Sequence, residues 1–286
     1  CVFCIDVRSE PARREIEQKA DYETFGFAGF FAAPTKFKLF HQDQVVYASP
    51  VLIKPEHTAT VCLCEGEKEQ RFLKRKKWRE KLKNIYVALK YNVGSPCILA
   101  DASGPWLGIW MIMKTFFPRL ADSLREKFYA GSAYSLKTTI NHSGIDLSVQ
   151  VSWAETFLTM LNLTHRLAPV VILFGHSAKT ENNPYASALE CGACGANGGG
   201  YNATLMAKIL NDVTVREQLA QKGIPVPDAT VFIAAEHMTT TQTFHFYDFD
   251  EVPLKPTLKQ KIIRDFHEIK KALSTVDKTK SVHWAE

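Results

Sequence analysis

The chain has 286 residues, 46% of them hydrophobic and 23% charged, a globular composition sufficient for one large domain or two small ones. A formal net charge of +5 is too small to indicate nucleic acid as a partner. The seven cysteines, an odd number without secretory features, argue against a disulfide framework and for a reducing compartment.

The sequence opens at Cys1 without an initiator Met and reads as an internal piece of a longer protein. Residues 1–7 (CVFCIDV) are mostly β-branched, aromatic or Cys and predict a buried strand. Ser9 is placed to cap the helix that follows, with Glu10 and Pro11 in its first turn. Ala12, Ile16 and Ala20 give that helix an apolar stripe at four-residue spacing. Residues 45–53 and 58–64 also read as strands. From Lys74 to Lys83, seven of ten residues are Lys or Arg, around Trp78 and Leu82. This pattern is a basic amphipathic helix, either a plain solvated face or a surface for an anionic membrane or acidic partner. The most apolar stretch, residues 97–117, contains Asp101, Gly104, Pro105, Gly108 and Lys114. It therefore reads as a buried or partner-facing segment and not a membrane span.

Residues 104–165 read as largely helical, broken near Gly131 and by the turn at 141–144. A second clear strand, Ala168 to Phe174 (APVVILF), runs into Gly175-His176-Ser177. The Gly-rich loop 191–200 precedes a helix over 202–210, followed by a helix over 213–222 and a strand at 229–235. The alternation predicts an α/β fold, a mostly parallel sheet flanked by helices. Residues 1–286 read as one such domain, with a mainly helical, basic insertion at about 65–160.

In an extended strand, residues two apart share a face and residues three apart do not. Cys4 and Asp6 therefore point together, and Cys1 points away from them. Both lie at the carboxyl end of their strand, and His176 follows the second strand in the same way. Carboxyl ends are where open α/β sheets bind ligands. Cys191 arrives 15 residues after His176. Two thiolates, an imidazole and a carboxylate make a tetrahedral zinc set, and the sulfur and nitrogen donors disfavour magnesium and calcium. Arg8 shares the face of Asp6 if the strand extends that far, and can hold the carboxylate with two parallel hydrogen bonds. Asp6 then has two options, to bind zinc or to pair with Arg8 and leave the fourth position to water.

Other residues carry weaker signals. Cys194 is a substitute for Cys191 as a ligand. Cys62 and Cys64 read as core, and His237 as structural in preference to a proton shuttle. Asn182 and Asn183 precede Pro184 in a turn, and Glu181 and Glu190 read as solvated.

CIDVRSE at 4–10, with GHSAKTENNPYASALECGACGANGGGYNA at 175–203, resembles the DabA family. These are large zinc-binding subunits of bacterial energy-coupled inorganic carbon complexes. Similarity continues through 215–241 and, more loosely, from Trp78 to Leu161. The resemblance implies Cys4, His176 and Cys191 as zinc ligands and Asp6–Arg8 as the Asp-Arg pair, within a β-carbonic anhydrase-like core. It also implies CO2 hydration to bicarbonate, coupled to a cation-translocating membrane partner of DabB type. The expected location is peripheral, at the cytoplasmic face of a bacterial inner membrane, reached through that partner. The chain departs from the family pattern at Ser177-Ala178, Thr204 and Gln242, positions expected to alter hydrogen bonding around the ligands. Two rival readings are a structural zinc module that docks a membrane partner, and a thiol redox protein using Cys191 and Cys194. The loop setting of those two cysteines does not favour the lowered thiol pKa that redox chemistry needs.

Overall fold

A computed structural model describes all residues except 20, 40–44, 64–65, 119, 122, 125–137, 181–182 and 284–286. The expected break at Gly131 lies outside the described residues, as do Ala20, Cys64, Glu181 and Asn182. Two compact units are present, one made of Cys1–Val61 with Ile140–Glu286 and the other of Cys62–Thr139.

The first unit is built on a five-stranded sheet. Its strands are β1 (Val2–Cys4), β2 (Phe25–Phe27), β7 (Val170–Ser177), β8 (Val231–Met238) and β9 (Thr243–Phe246), in the order β2-β1-β7-β8-β9. All pairs are parallel except β8–β9. The central strands are continuous apolar runs because both faces of the sheet are covered. Val2, Leu173, Phe232 and Ala234 face a core formed with α4 (Leu147–Met160) and α5 (Gly200–Asn211), including Phe157, Leu158, Leu205 and Met206. Their strand neighbours Phe3, Ile172, Phe174 and Ile233 face the opposite way. There they meet Ala12 and Ile16 of α1 (Glu10–Glu17) and Ile262, Phe266 and Ile269 of α7 (Pro256–His283). The fold is thus α/β, with the mostly parallel sheet that the sequence predicted.

A second, mixed sheet of four strands was not anticipated. It comprises β3 (Thr35–Lys38), β4 (Val45–Ala48), β5 (His57–Leu63) and β6 (Thr138–Asn141), in the order β4-β3-β5-β6. The strand expected over 45–53 stops at Ala48, and the chain turns from Pro50 to Ile53, with Ile53 N donating to the Pro50 carbonyl. Between the expected break near Gly131 and the turn expected at 141–144, where helix was read, β6 precedes α4. Helix α6 (Val213–Gln221) is capped by Asp212, whose carboxylate accepts from the amides of Thr214 and Val215.

The second unit contains α2 (Gly66–Lys90) and α3 (Ser95–Phe116), packed against one another as a helical hairpin. Helix α3 is apolar yet has no buried residue. Among the described residues, no helix is long and apolar enough to cross a membrane.

Candidate metal centre

The carboxyl ends of β1 and β7 lie together because the two strands pair directly. Beyond Cys4 the extended backbone persists: Ile5 N donates to Phe27 O at 2.9 Å, and Asp6 has φ −140° and ψ 132°. Cys4 and Asp6 consequently share a side. Cys1 packs with the Phe3–Ile16 cluster on the other face, as strand parity required. The strand does not reach Arg8. Residues Val7–Ser9 form a 3-10 turn capped by Asp6, whose Oδ1 accepts from Arg8 N at 2.9 Å. Ser9 makes no side-chain cap for α1; its hydroxyl lies 3.1 Å from Nδ1 of His237 instead.

Strand β7 runs two residues past His176's predecessor to Ser177, so His176 is a strand residue in register with His237 of β8. Cys191 opens a 3-10 turn, Gly192–Cys194, and its carbonyl accepts from both Cys194 N and Ala196 N. The Gly-rich loop reaches β7 through Gly199, whose amide donates to His176 O at 2.9 Å. A side chain at Gly175 would forbid this approach, since a Cβ there would fall 2.4 Å from the Gly199 carbonyl carbon.

These elements bring Cys4, His176 and Cys191 together. All three are buried, and their donor atoms lie within 4.8 Å of one another. The two sulfurs are 3.5 Å apart. His176 Nε2 is 3.3 Å from the Thr239 hydroxyl, whereas Nδ1 is buried without a hydrogen-bond partner. Buried polar atoms are normally satisfied, and a cation held by the two sulfurs would satisfy this one. The donor set of two thiols and an imidazole suits zinc. Gly29 seals the sulfurs from the other side: a Cβ there would sit 2.6 Å from Cys191 Sγ and 2.7 Å from Cys4 Sγ.

Asp6 is engaged by Arg8. Arg8 Nε donates to Asp6 Oδ1 at 2.9 Å and Nη2 donates to Oδ2 at 3.0 Å. Burial acts to raise the Asp6 pKa, but the hydrogen bonds from Arg8 outweigh it and hold the carboxyl below its ordinary value. Asp6 Oδ2 is also 3.6 Å from His176 Nδ1. The carboxylate therefore stands beside the three-residue cluster while tied to the guanidinium.

The thiols share their protons unequally. Hydrogen bonds from Cys194 and then Cys4 push the Cys191 thiol down, while contact with Cys191 and burial push Cys4 and Cys194 up. Cys194 is fully buried and accepts from Asn202 Nδ2 at 3.4 Å, and the same amide donates to Ala48 O at 2.8 Å. Cys194 lies outside the Cys4–His176–Cys191 group, so it buttresses that group instead of replacing Cys191.

Several neighbours were missed or misread from sequence. Asn202 is a fully buried polar residue in the first turn of α5, and no spacing in the sequence announced its burial. Glu236 interrupts the apolar run of β8. It is buried, accepts from Gly200 N at 3.2 Å and from Tyr247 Oη at 2.9 Å, and so ties the start of α5 to the sheet. Glu190, read as solvated, is half-buried, and burial raises its pKa. His237 has both nitrogens occupied, by the Ser9 hydroxyl and by Gln242 Oε1 at 3.0 Å, which supports the structural reading.

The family model "Probable inorganic carbon transporter subunit DabA" matches residues 1–284. A relative of that description from Legionella pneumophila is 43% identical over 262 residues, covering 86% of this chain and 34% of the relative. Relatives of the same description from Bacillus cereus and Bacillus thuringiensis are 38% and 37% identical, covering 83% and 87% of this chain and 28% and 30% of their own lengths. The chain thus spans about a third of the length of the curated relatives it matches. No solved structure matches it.

Proposed function

The chain belongs to the DabA family of inorganic carbon transporter subunits, and from that premise we propose that it carries a zinc site at which CO2 is hydrated to bicarbonate for uptake. The observation that carries this reading is the buried Cys4–His176–Cys191 group with an unpartnered His176 Nδ1, set beside a carboxylate held by arginine.

Cys4, Cys191 and His176 would hold the metal. When bound, zinc supplies the Lewis acidity that lets water attack CO2 near neutral pH. The Thr239 hydroxyl accepts from His176 Nε2 and fixes the ring, an arrangement that supports metal ligands generally. Arg8 holds Asp6 in a fork that would keep its carboxylate from binding the metal. Release from Arg8 would let Asp6 close the site. The pair therefore acts as a gate, with Arg8 the positioning residue and Asp6 the moving one. Coupling to a cation-translocating membrane subunit of DabB type, at the cytoplasmic face of the membrane, would make hydration one-way. Support for that partner comes from the relatives' description as transporter subunits.

The test is inorganic carbon uptake by cells expressing the whole protein with its membrane partner. Arg8→Ala and Asp6→Asn are expected to keep zinc and to lose uptake by about a hundredfold or more, as removal of a group aimed at the reacting centre does. Uptake that persists in both zinc-loaded variants sinks the gate.

A further inference from the structure

The α2–α3 hairpin contains none of Cys4, His176 and Cys191, and its surface is unlike that of a water-facing protein. Trp106, Phe116 and Ile98 of α3 are 74%, 71% and 70% exposed, and Leu107, Ile109 and Met111 are each more than half exposed. A helix apolar around its circumference is ordinarily covered, and an exposed apolar patch of this extent marks an interaction site. Immediately before it, the sequence of α2 carries the basic run, seven Lys or Arg against one Glu over residues 74–83. Lys77, Glu80 and Lys81 line a shallow groove on α2 together with Asn84, Ile85 and Ala88. Two lysines one turn apart, with a single glutamate between them, thus stand beside the apolar side chains of Ile85 and Ala88.

We infer that this hairpin docks directly on the surface of an anionic phospholipid bilayer. Two features choose lipid over protein as the occupant. Lysine is depleted from the buried centre of protein interfaces, where its charge would be desolvated. At a headgroup layer the ammonium ions stay hydrated among phosphates while their stems lie along apolar surface. The second feature is the pairing of that charge with exposed Trp and Phe side chains, the residue types that seat in the headgroup boundary. Helix α3 lies in the boundary and does not cross it. Asp101, Pro105 and Lys114 interrupt it, and no described helix is apolar enough to span. The inference is independent of the metal reading, since the hairpin belongs to the unit that lacks Cys4, His176 and Cys191.

Flotation of the full chain with phosphatidylcholine vesicles, with and without phosphatidylglycerol, tests it. Binding is expected to need phosphatidylglycerol and to weaken at high salt. The double reversal Lys77→Glu/Lys81→Glu is expected to weaken it about thirtyfold or more, from the usual contribution of each basic residue near an anionic surface. Trp106→Ser/Phe116→Ser is expected to weaken it about tenfold or more. Trp106 and Phe116 are exposed, as are Lys77 and Lys81, so the variants retain the fold, and an unchanged far-ultraviolet circular dichroism spectrum verifies that they do. Absence of binding to phosphatidylglycerol vesicles, equal binding to both vesicle types, or full binding by either variant overturns the inference. Binding only to vesicles that carry a membrane protein partner overturns it too, and assigns the hairpin to that protein.

Discussion

At the scale of single residues, the region around the candidate site is ordered by neutral hydrogen bonds as much as by charge. Gln242 illustrates this. Its Nε2 donates to Thr239 O at 3.1 Å, which leaves Oε1 facing His237 Nε2. Nε2 must then carry the proton, and Nδ1 accepts from the Ser9 hydroxyl. The ring also stacks on Phe244, with centroids 4.8 Å apart. Burial lowers the His237 pKa to about 4, the Gln242 hydrogen bond opposing it only in part. An unfolded histidine titrates near ~6.5. Between the two values the unfolded chain binds the extra proton, so stability rises with pH there and is lost as pH falls from about 6.5 to about 4. His237→Asn is expected to destabilise the chain at pH 7 and to flatten that part of the acid limb. Urea unfolding of both proteins across this range reads it, and parallel pH profiles would refute the assignment.

Among the elements, the helix that closes the sheet on one face shows what the sequence could and could not convey. α7 packs on α1, and a polar cluster at the edge of the Phe266 core ties it to Tyr22 in the segment after α1. Tyr22 Oη donates to Asp265 Oδ2 at 3.0 Å, and Lys261 Nζ donates to the same oxygen at 2.9 Å. Burial acts to raise the Asp265 pKa, but the hydrogen bonds from Lys261 and Tyr22 prevail and lower it. The contribution is therefore present above the unfolded carboxyl value of about 4 and fades as pH falls through the lower folded one. Asp265→Asn is expected to cost about 1–3 kcal/mol at neutral pH, the loss of a charge-assisted bond in a mostly buried setting. Its deficit against the parent should shrink in acid. Thermal unfolding at pH 7 and pH 3 distinguishes this from a packing defect, which would persist at both. None of this was legible beforehand, because α7 follows the last motif and no residue spacing announced its partner. β1, β7 and β8 were legible, since buried parallel strands read as apolar runs. β2, β3, β6 and β9 were not, because these three- or four-residue strands lie in no longer apolar run and are too short for alternation to register. The site fared better because strand parity needs only local geometry. It placed Cys4 beside Asp6 and excluded Cys1 before any partner strand was known. Gly29 and Asn202 escaped notice because their roles depend on which sulfurs lie against them in space.

For the molecule as a whole, a metal at the candidate centre would be a cross-link as well as part of the proposed reaction site. Cys4 and Cys191 are 187 residues apart in sequence, so an ion held between them ties the first strand of the sheet to the Gly-rich loop that leads into α5. Anything that binds the folded chain and not the unfolded one stabilises it, by about 2.7 kcal/mol when the free ligand is at ~100 times its dissociation constant. The thiol arrangement sets the pH dependence of that gain. Cys191 is the cysteine favoured as thiolate, whereas Cys4 is held as the thiol by its contact with Cys191 and by burial. Zinc binding must therefore displace about one thiol proton, from Cys4. The sign follows: apparent affinity falls about tenfold for each unit of acidification near neutrality, and the zinc-dependent rise in unfolding temperature falls with it. Titration calorimetry in two buffers of different ionisation enthalpy measures the proton count directly. A count near two would mean that Cys191 is also a thiol before the metal arrives. A count near zero, with affinity independent of pH, would mean that Cys4 is not a ligand at all.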